Sequence, residues 1–182
     1  KGEIYICGHS IRKEPLLCKK RMAFLPDNPD LYKNLTARQF LDFVADIYRV
    51  SMEKRQAAIE KYSKMFELDT SLDQLISAYS HGMKQRLALI AALLHEPELL
   101  ILDEPFVGLD RKGAYYVKQI MRELASQGHA IFFSTHVLEV AEELCNKVAI
   151  LQKGRLVANG RTSEVKGASS LEEVFMELQE DD

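Results

Sequence analysis

Glu98-Leu-Leu-Ile-Leu-Asp-Glu-Pro105 decides the fold, because an apolar run ends there in two adjacent carboxylates and a proline. Leu99 to Leu102 lacks the alternation of a half-exposed strand, which predicts a strand buried on both faces inside a parallel sheet covered by helices. Ligands of such sheets bind at the carboxyl ends of the strands, where Asp103 and Glu104 fall. We expect Asp103 to hold a hydrated Mg²⁺ that carries a nucleotide, and Glu104 to orient and deprotonate an attacking water. The alternative is a buried strand followed by a plain acidic turn.

Composition limits the class of protein. The chain has 182 residues, 47% hydrophobic and 28% charged, as expected for one soluble globular domain with a sizeable core. A net charge of -3 gives no general attraction to nucleic acid or to an anionic membrane, so we expect no nucleic-acid partner. The longest apolar run, Leu87 to Leu94, is too short to cross a bilayer. Cys7, Cys18 and Cys145 lack metal-site spacing, which favours reduced thiols in a cytosolic setting.

Three further motifs flank the carboxylate strand in a fixed order. Ser80-His-Gly-Met-Lys-Gln-Arg86 precedes it, Gly108-Leu-Asp110 follows it, and Ser134-Thr-His136 closes a second apolar run. This order and spacing resemble the nucleotide-binding domain of ATP-binding-cassette (ABC) proteins, with signature motif, Walker B strand, D-loop and switch histidine. The resemblance implies an α/β fold with a P-loop NTPase-like parallel core sheet flanked by helices and an inserted α-helical subdomain.

The resemblance also divides the chain into subdomains. It assigns residues 1–30 and 79–167 to the α/β core, 31–78 to the helical subdomain, and 168–182 to a C-terminal helix and tail. Thr36-Ala-Arg-Gln39 is a capping box that opens an amphipathic helix to about Val50, and Ser51 caps a second helix. In the family this subdomain docks on the transmembrane partner, although a core-facing stripe explains most of its apolar residues without docking.

The signature motif predicts an anion site. Ser80 and Gly82 stand immediately before a helical segment, Met83 to His95, whose first N–H groups and dipole favour a negative charge. Gly82 permits close approach of the backbone to a phosphate. The resemblance implies that both residues contact the γ-phosphate of ATP, whereas the alternative is that Ser80 only caps the helix. Three neighbouring positions depart from the commonest form of the motif, which leaves the affinity open.

Three more site residues follow from the resemblance. Asp27 falls where the family has its Q-loop glutamine, so it could contact the metal through water, or it is a plain loop aspartate. Asp110 is implied to contact the opposite subunit of a dimer, and it can also cap the next helix. His136 is implied to contact the γ-phosphate and, with Glu104, the catalytic water.

One expected element is missing from these residues. A phosphate-binding P-loop requires G-x-x-x-x-G-K-[ST], and no Gly-Lys dipeptide occurs in the chain. The family places that loop, with its strand and helix, before the position of Lys1. Two accounts follow: Lys1 lies within a longer parent chain, or the chain is a natural fragment that has lost nucleotide binding in cis. In the family, ATP and Mg²⁺ are sandwiched between two domains. This segment keeps the signature and D-loop half of that site, Ser80, Gly82 and Asp110, but only part of the half that includes the P-loop, so we expect the segment alone to be inactive.

The resemblance implies an ATP-binding and ATP-hydrolysing subunit of an ABC membrane transporter, of exporter type. It would couple ATP sandwich dimerisation and hydrolysis to transport. The expected partners are a second ABC ATPase domain, in a homodimer or heterodimer, and a transmembrane permease subunit. The permease would hold the protein on the cytoplasmic face of the cell membrane. Two other classes stay open: a soluble ABC ATPase not tied to a transporter, and a non-catalytic module that completes a partner's ATP site.

Overall fold

The computed structural model describes residues 2–180 and separates them into two compact units, the first ending at Ser134 and the second beginning at Thr135. In chain order, the first unit contains β1 (Tyr5–Ile6), β2 (His9–Ser10), α1 (Pro15–Arg21), β3 (Met22–Leu25), α2 (Ala37–Ile47), α3 (Met52–Met65), α4 (His81–Leu93), β4 (Leu99–Asp103), α5 (Arg111–Ser126) and β5 (Ala130–Ser134). Short 3-10 helices lie at Asp69–Ser71 and Ile76–Ala78. The second unit contains α6 (Leu138–Leu144), β6 (Lys147–Gln152), β7 (Arg155–Arg161), α7 (Thr162–Lys166) and α8 (Leu171–Glu180).

The carboxylate strand is the middle strand of a parallel sheet with the order β3-β4-β5. Leu25 pairs with Leu102, and Asp103 pairs with Ser134. The predicted α/β fold with a parallel core sheet and flanking helices is therefore confirmed. Because all three strands run the same way, their carboxyl ends meet at one edge of the sheet.

The two faces of this sheet differ, and here the prediction of a strand buried on both faces was wrong. Leu100 and Leu102 are each 1% exposed, whereas Leu99 and Ile101 are only half-buried. Phe24 and Phe132 pair in register with Ile101 and are 59% and 66% exposed. The continuous apolar run therefore reflects one face that is packed and one that, within residues 2–180, stays open to solvent.

α4 is the central helix of the core. It is apolar nearly all round from Leu87 onward, and Leu87 and Ile90 are fully buried. Each such side chain stabilises the fold by about 1.5–3 kcal/mol relative to an exposed position. The helix runs from His81 to Leu93, not from Met83 to His95 as predicted, because Ser80 already provides its N-cap.

The helices of segment 31–78 begin where their capping motifs predict. Thr36 Oγ1 accepts a hydrogen bond from the Gln39 N–H at 3.2 Å, and Gln39 Oε1 accepts one from the Thr36 N–H at 2.9 Å. α2 ends at Ile47, three residues before the predicted end. Ser51 caps α3. The predicted subdomain boundaries stay predictions, and of the predicted tail, Asp181 and Asp182 lie outside the described residues.

In the second unit, β6 and β7 form an antiparallel hairpin. Lys153 and Gly154 turn the chain between them, both with positive φ. A half-buried ion pair between Lys166 and Glu142 joins α7 to α6 and lowers the pKa of Glu142.

Candidate functional site

The parallel sheet brings together the first group of predicted site residues, Asp27, Asp103 and Glu104, which we call the sheet-edge group. Asp103 ends β4, and Asp27 follows the neighbouring strand β3 by two residues. Both side chains are exposed, so both carboxylates are accessible to a ligand at this edge.

Ser134, the last residue of β5, forms hydrogen bonds with two residues of this group. Its hydroxyl donates to Asp103 Oδ1, and its oxygen accepts the Glu104 N–H at 3.2 Å. One side chain thus orients the first carboxylate and fixes the backbone of the second. Ser134 falls in one of the sequence motifs, but no role was predicted for it. The available signal was a hydroxyl residue at the carboxyl end of an apolar strand.

Glu104 has an unusual backbone conformation. Its φ is +47°, in the left-handed region that costs a non-glycine residue roughly 1–2 kcal/mol. The turn that follows is closed by a hydrogen bond of 3.1 Å from the Val107 N–H to the Glu104 carbonyl. Phe106 in this turn packs edge-on against Phe133 of β5, with ring centroids 6.1 Å apart. A backbone hydrogen bond and an aromatic contact therefore hold the turn that follows the strained Glu104.

The sheet-edge group fits a Mg²⁺ ion that brings most of its own ligands. Within residues 2–180, no three His, Cys, Asp or Glu side chains cluster closely enough to bind a metal ion. Mg²⁺ commonly uses one or two carboxylates together with waters and substrate phosphates. Asp103, and Asp27 through water, could supply that protein share. A metal held by protein side chains alone does not fit.

A second group, Ser80, Gly82 and Asp110, lies where α4 begins. We call it the signature group. Ser80 Oγ accepts the Met83 N–H at 3.2 Å, so this residue does cap the helix. Capping does not exclude contact with a phosphate, because Ser80 is exposed. A Cβ added to Gly82 would lie 2.8 Å from the Gly108 carbonyl oxygen, so only glycine allows this approach.

Asp110 caps α5, as the sequence predicted it could. Its Oδ1 accepts the Gly113 N–H at 2.8 Å, and it lies 3.2 Å from Arg86 Nη2. The Asp110 side chain is still 58% exposed. The structure thus places the three residues of the signature group around one junction, between the start of α4 and the start of α5.

His136 belongs to the second unit, two residues before α6 begins, and is exposed. Its predicted contacts with the γ-phosphate and with the water activated by Glu104 stay predictions.

A groove of about 280 Å³ lies between β3, α2 and α4 in the first unit. Its walls are mostly apolar and include Leu25, Phe40, Val44, Tyr48, Ala88, Ala91, Ala92 and His95. Beside it on α2, Phe43 and Ile47 remain 43% and 58% exposed. We call this surface the α2–α4 groove; it was not predicted from the sequence.

At the floor of the α2–α4 groove, His95 stacks on Tyr48 with ring centroids 3.7 Å apart. Its Nε2 donates to the Met22 carbonyl at 3.1 Å, whereas Nδ1 is buried without a partner among the described residues. Burial lowers the pKa of His95. The neutral imidazole is therefore the form that this environment favours.

In the part of the chain that the structure describes, every helix falls short of the length and apolarity needed to cross a bilayer.

Comparison with known proteins identifies the class. Residues 1–107 match the family model described as ABC transporter. A solved structure described as the ATP-binding subunit of an ABC transporter superposes with a TM-score of 0.93 at 32% identity, over 98% of this chain and 77% of that one. The fold is therefore that of ABC ATPase subunits.

Curated relatives indicate the same class of protein. The ABC-type transporter ATP-binding protein EcsA of Bacillus subtilis is 31% identical over 100% of this chain and 76% of its own length. The Nod factor export ATP-binding protein I of Rhizobium meliloti is 34% identical over 88% of this chain and 48% of its own length. The chain belongs to the ABC transporter family, among its ATP-binding proteins. It spans about half the length of several curated relatives that it matches.

Proposed function

We propose that the full-length protein is the ATP-hydrolysing subunit of an ABC membrane transporter. The observation that carries this proposal is the pair Asp103 and Glu104 at the carboxyl end of β4, with Ser134 bonded to both residues. A lone acidic turn does not require a hydroxyl from the next strand to orient one carboxylate and a strained φ at the other.

In the proposed mechanism, the sheet-edge group acts on the γ-phosphate of ATP. Asp103 would hold Mg²⁺ and Asp27 would contact it through water; the bound ion would supply positive charge to neutralise the phosphates. Glu104 accepts a proton from water as the water oxygen attacks phosphorus and the bond to the leaving oxygen of ADP breaks. His136 contacts the γ-phosphate and helps Glu104 to position the water.

The signature group serves a second ABC ATPase domain, either a second copy or a related chain. The first turn of α4 presents the positive end of a helix of 13 residues, and apart from the Met83 N–H, which Ser80 caps, its N–H groups have no partner within the helix. Ser80 and Gly82 contact the γ-phosphate bound by that domain, and the exposed Asp110 contacts the domain itself. Each ATP is then enclosed between two domains, so hydrolysis and dimer opening are coupled.

The membrane partner is a permease subunit, which would hold the protein at the cytoplasmic face of the membrane. Its contact is the α2–α4 groove, whose apolar walls suit a short amphipathic helix of the permease. The exposed side chains beside the groove extend this apolar surface. We infer export as the direction of transport because a matching relative bears the name of an export protein.

Glu104→Gln tests the catalytic assignment in the full-length protein. We expect phosphate release from MgATP to fall by about 10²–10⁴-fold, since the amide is not a general base, while ATP binding persists. Glu98→Gln is the matched control, because Glu98 precedes the opposite end of β4 and pairs with Arg21 at 3.0 Å. Normal turnover by Glu104→Gln would contradict the assignment.

Ile47→Glu tests the proposed permease contact. A charge placed on the exposed apolar edge of the groove should reduce recovery of the protein with its permease in purified membranes, with ATP binding unchanged. Gln56→Glu adds the same charge to an exposed position of α3 and should have no effect. Equal recovery of both variants would exclude the groove as the contact.

A further inference from the structure

The side chain of Arg86 is 17% exposed and joins three parts of the first unit. The side chain extends from α4. Its Nη2 lies 3.2 Å from Asp110 Oδ1, and its Nη1 donates to the Phe66 carbonyl at 3.3 Å. Phe66 is the C-cap of α3, and Asp110 is the N-cap of α5. Arg86 therefore ties the start of α5 and the end of α3 to the helix that Ser80 begins.

The carboxylate of Asp110 is held tightly at one oxygen. Oδ1 is shared between Arg86 and the Gly113 N–H, and a Cβ on residue 113 would lie 2.9 Å from it. The rest of the side chain remains largely exposed. Asp110 is thus anchored on one side and presented to solvent on the other.

The arrangement of Arg86 is unfavourable if its only role is to stabilise the fold. Arg86 Nε is buried without a hydrogen-bond partner among the described residues. A buried polar group left unsatisfied costs about 1–3 kcal/mol, and an apolar side chain at this position would avoid that cost. The guanidinium therefore needs an explanation other than packing.

We propose that Arg86 is a positioning residue that holds Asp110 in a fixed relation to Ser80, so that both meet the opposite domain together. The direct approach of Gly82 to the Gly108 carbonyl supports a rigid unit here, because α4 and the segment leading to Asp110 touch through their backbones. This inference rests on the proposed ATP sandwich. It adds the residue that aligns the two parts of the signature group.

A double-mutant cycle in the full-length protein tests the proposal. Arg86→Met removes the tie, and Asp110→Ser removes the carboxylate but keeps a helix cap. Both are made in the Glu104→Gln background, and the dissociation constant of the MgATP-dependent dimer is measured. We expect each change to weaken the dimer about tenfold and the double variant to be no weaker than Asp110→Ser alone, because Arg86 acts through Asp110.

Two variants separate this role from a general effect on folding. Arg38→Met breaks a similar pair, Arg38 with Asp73 at 2.7 Å, on a different surface and should leave the dimer unchanged. Arg86→Lys keeps the charge but cannot reach both acceptors, so it should give an intermediate loss without unfolding.

The outcomes are distinguishable. If Glu104→Gln itself forms no dimer with MgATP, the proposed function fails. If that dimer forms and Arg86→Lys and Arg86→Met leave it intact, or if the effects of Arg86→Met and Asp110→Ser simply add, the role of Arg86 is overturned.

Discussion

At the scale of single residues, Ser134 links the two carboxylates of the sheet-edge group. Ser134→Ala would remove the hydroxyl that donates to Asp103 and accepts the Glu104 N–H. Because loss of a residue that orients a metal ligand typically costs 10–100-fold, we expect about tenfold more Mg²⁺ to be needed for half-maximal hydrolysis. A Mg²⁺ titration of ATPase activity measures this.

Ser126→Ala is the control for that titration, since Ser126 also donates its hydroxyl, to the Glu123 carbonyl, but lies at the end of α5. An unchanged Mg²⁺ requirement for Ser134→Ala would contradict the claim that Ser134 orients Asp103 toward the metal.

His95 predicts how stability depends on pH. Burial lowers its pKa in the folded protein, whereas the unfolded value is about 6.5. Between the two values the unfolded chain binds more protons, so the His95 contribution is complete above about pH 6.5 and declines as the pH falls toward the folded pKa. Urea unfolding at pH 7.5 and at about pH 5.5 should show a loss of stability in the wild type.

His95→Gln keeps a polar side chain but does not titrate, so its stability should change less between the same two pH values. Equal pH dependence in the wild type and in His95→Gln would show that other groups cause the decline.

At the scale of secondary-structure elements, a buried apolar side chain of α2 contributes more to stability than an exposed ion pair of α3. Leu41 of α2 is fully buried, whereas Lys61 of α3 reaches Glu123 of α5 through an exposed pair at 3.3 Å. We expect Leu41→Ala to lower the free energy of unfolding by about 2–5 kcal/mol and Lys61→Met by less than about 1 kcal/mol. Denaturant titration compares the two; equal losses would contradict this account.

Local signals predicted α2, α3 and α4 well. A capping box at Thr36, a serine cap before α3 and an apolar run in α4 each act within a few residues, so the sequence displays them directly. α1 was not predicted, because its seven residues after Pro15 are too few to show a helical period. The observed ends of α2 and α4 lie three and two residues before the predicted ones, because helix ends fray and no local signal fixes their last residue.

Contacts between distant segments could not be predicted. The sequence identified Asp103 and Glu104, but the link through Ser134 depends on the register of β4 with β5. The tie between Arg86 and Asp110 likewise requires α4 and α5 to begin at one junction. The partial exposure of one face of β4 was missed because an apolar run indicates only that burial is favourable, not which face is covered.

At the scale of the whole molecule, the predicted site residues of the first unit form two groups with different tasks. The sheet-edge group carries the proposed hydrolysis, and the signature group carries the proposed contact with the other domain. If each ATP site uses the sheet-edge group of one copy and the signature group of the other, then defects in the two groups of one copy disable different ATP sites of the dimer.

Mixing two inactive variants of the full-length protein tests this shared site most directly. Glu104→Gln disables the sheet-edge group, and Ser80→Arg blocks the signature group with a bulky side chain. In a mixed dimer, one site joins the intact Glu104 of one copy to the intact Ser80 of the other. Phosphate release should therefore recover to about a quarter of the wild-type rate in an equal mixture, since half of the dimers are mixed and each holds one intact site. Dimers that exchange subunits yet stay inactive would contradict the shared site.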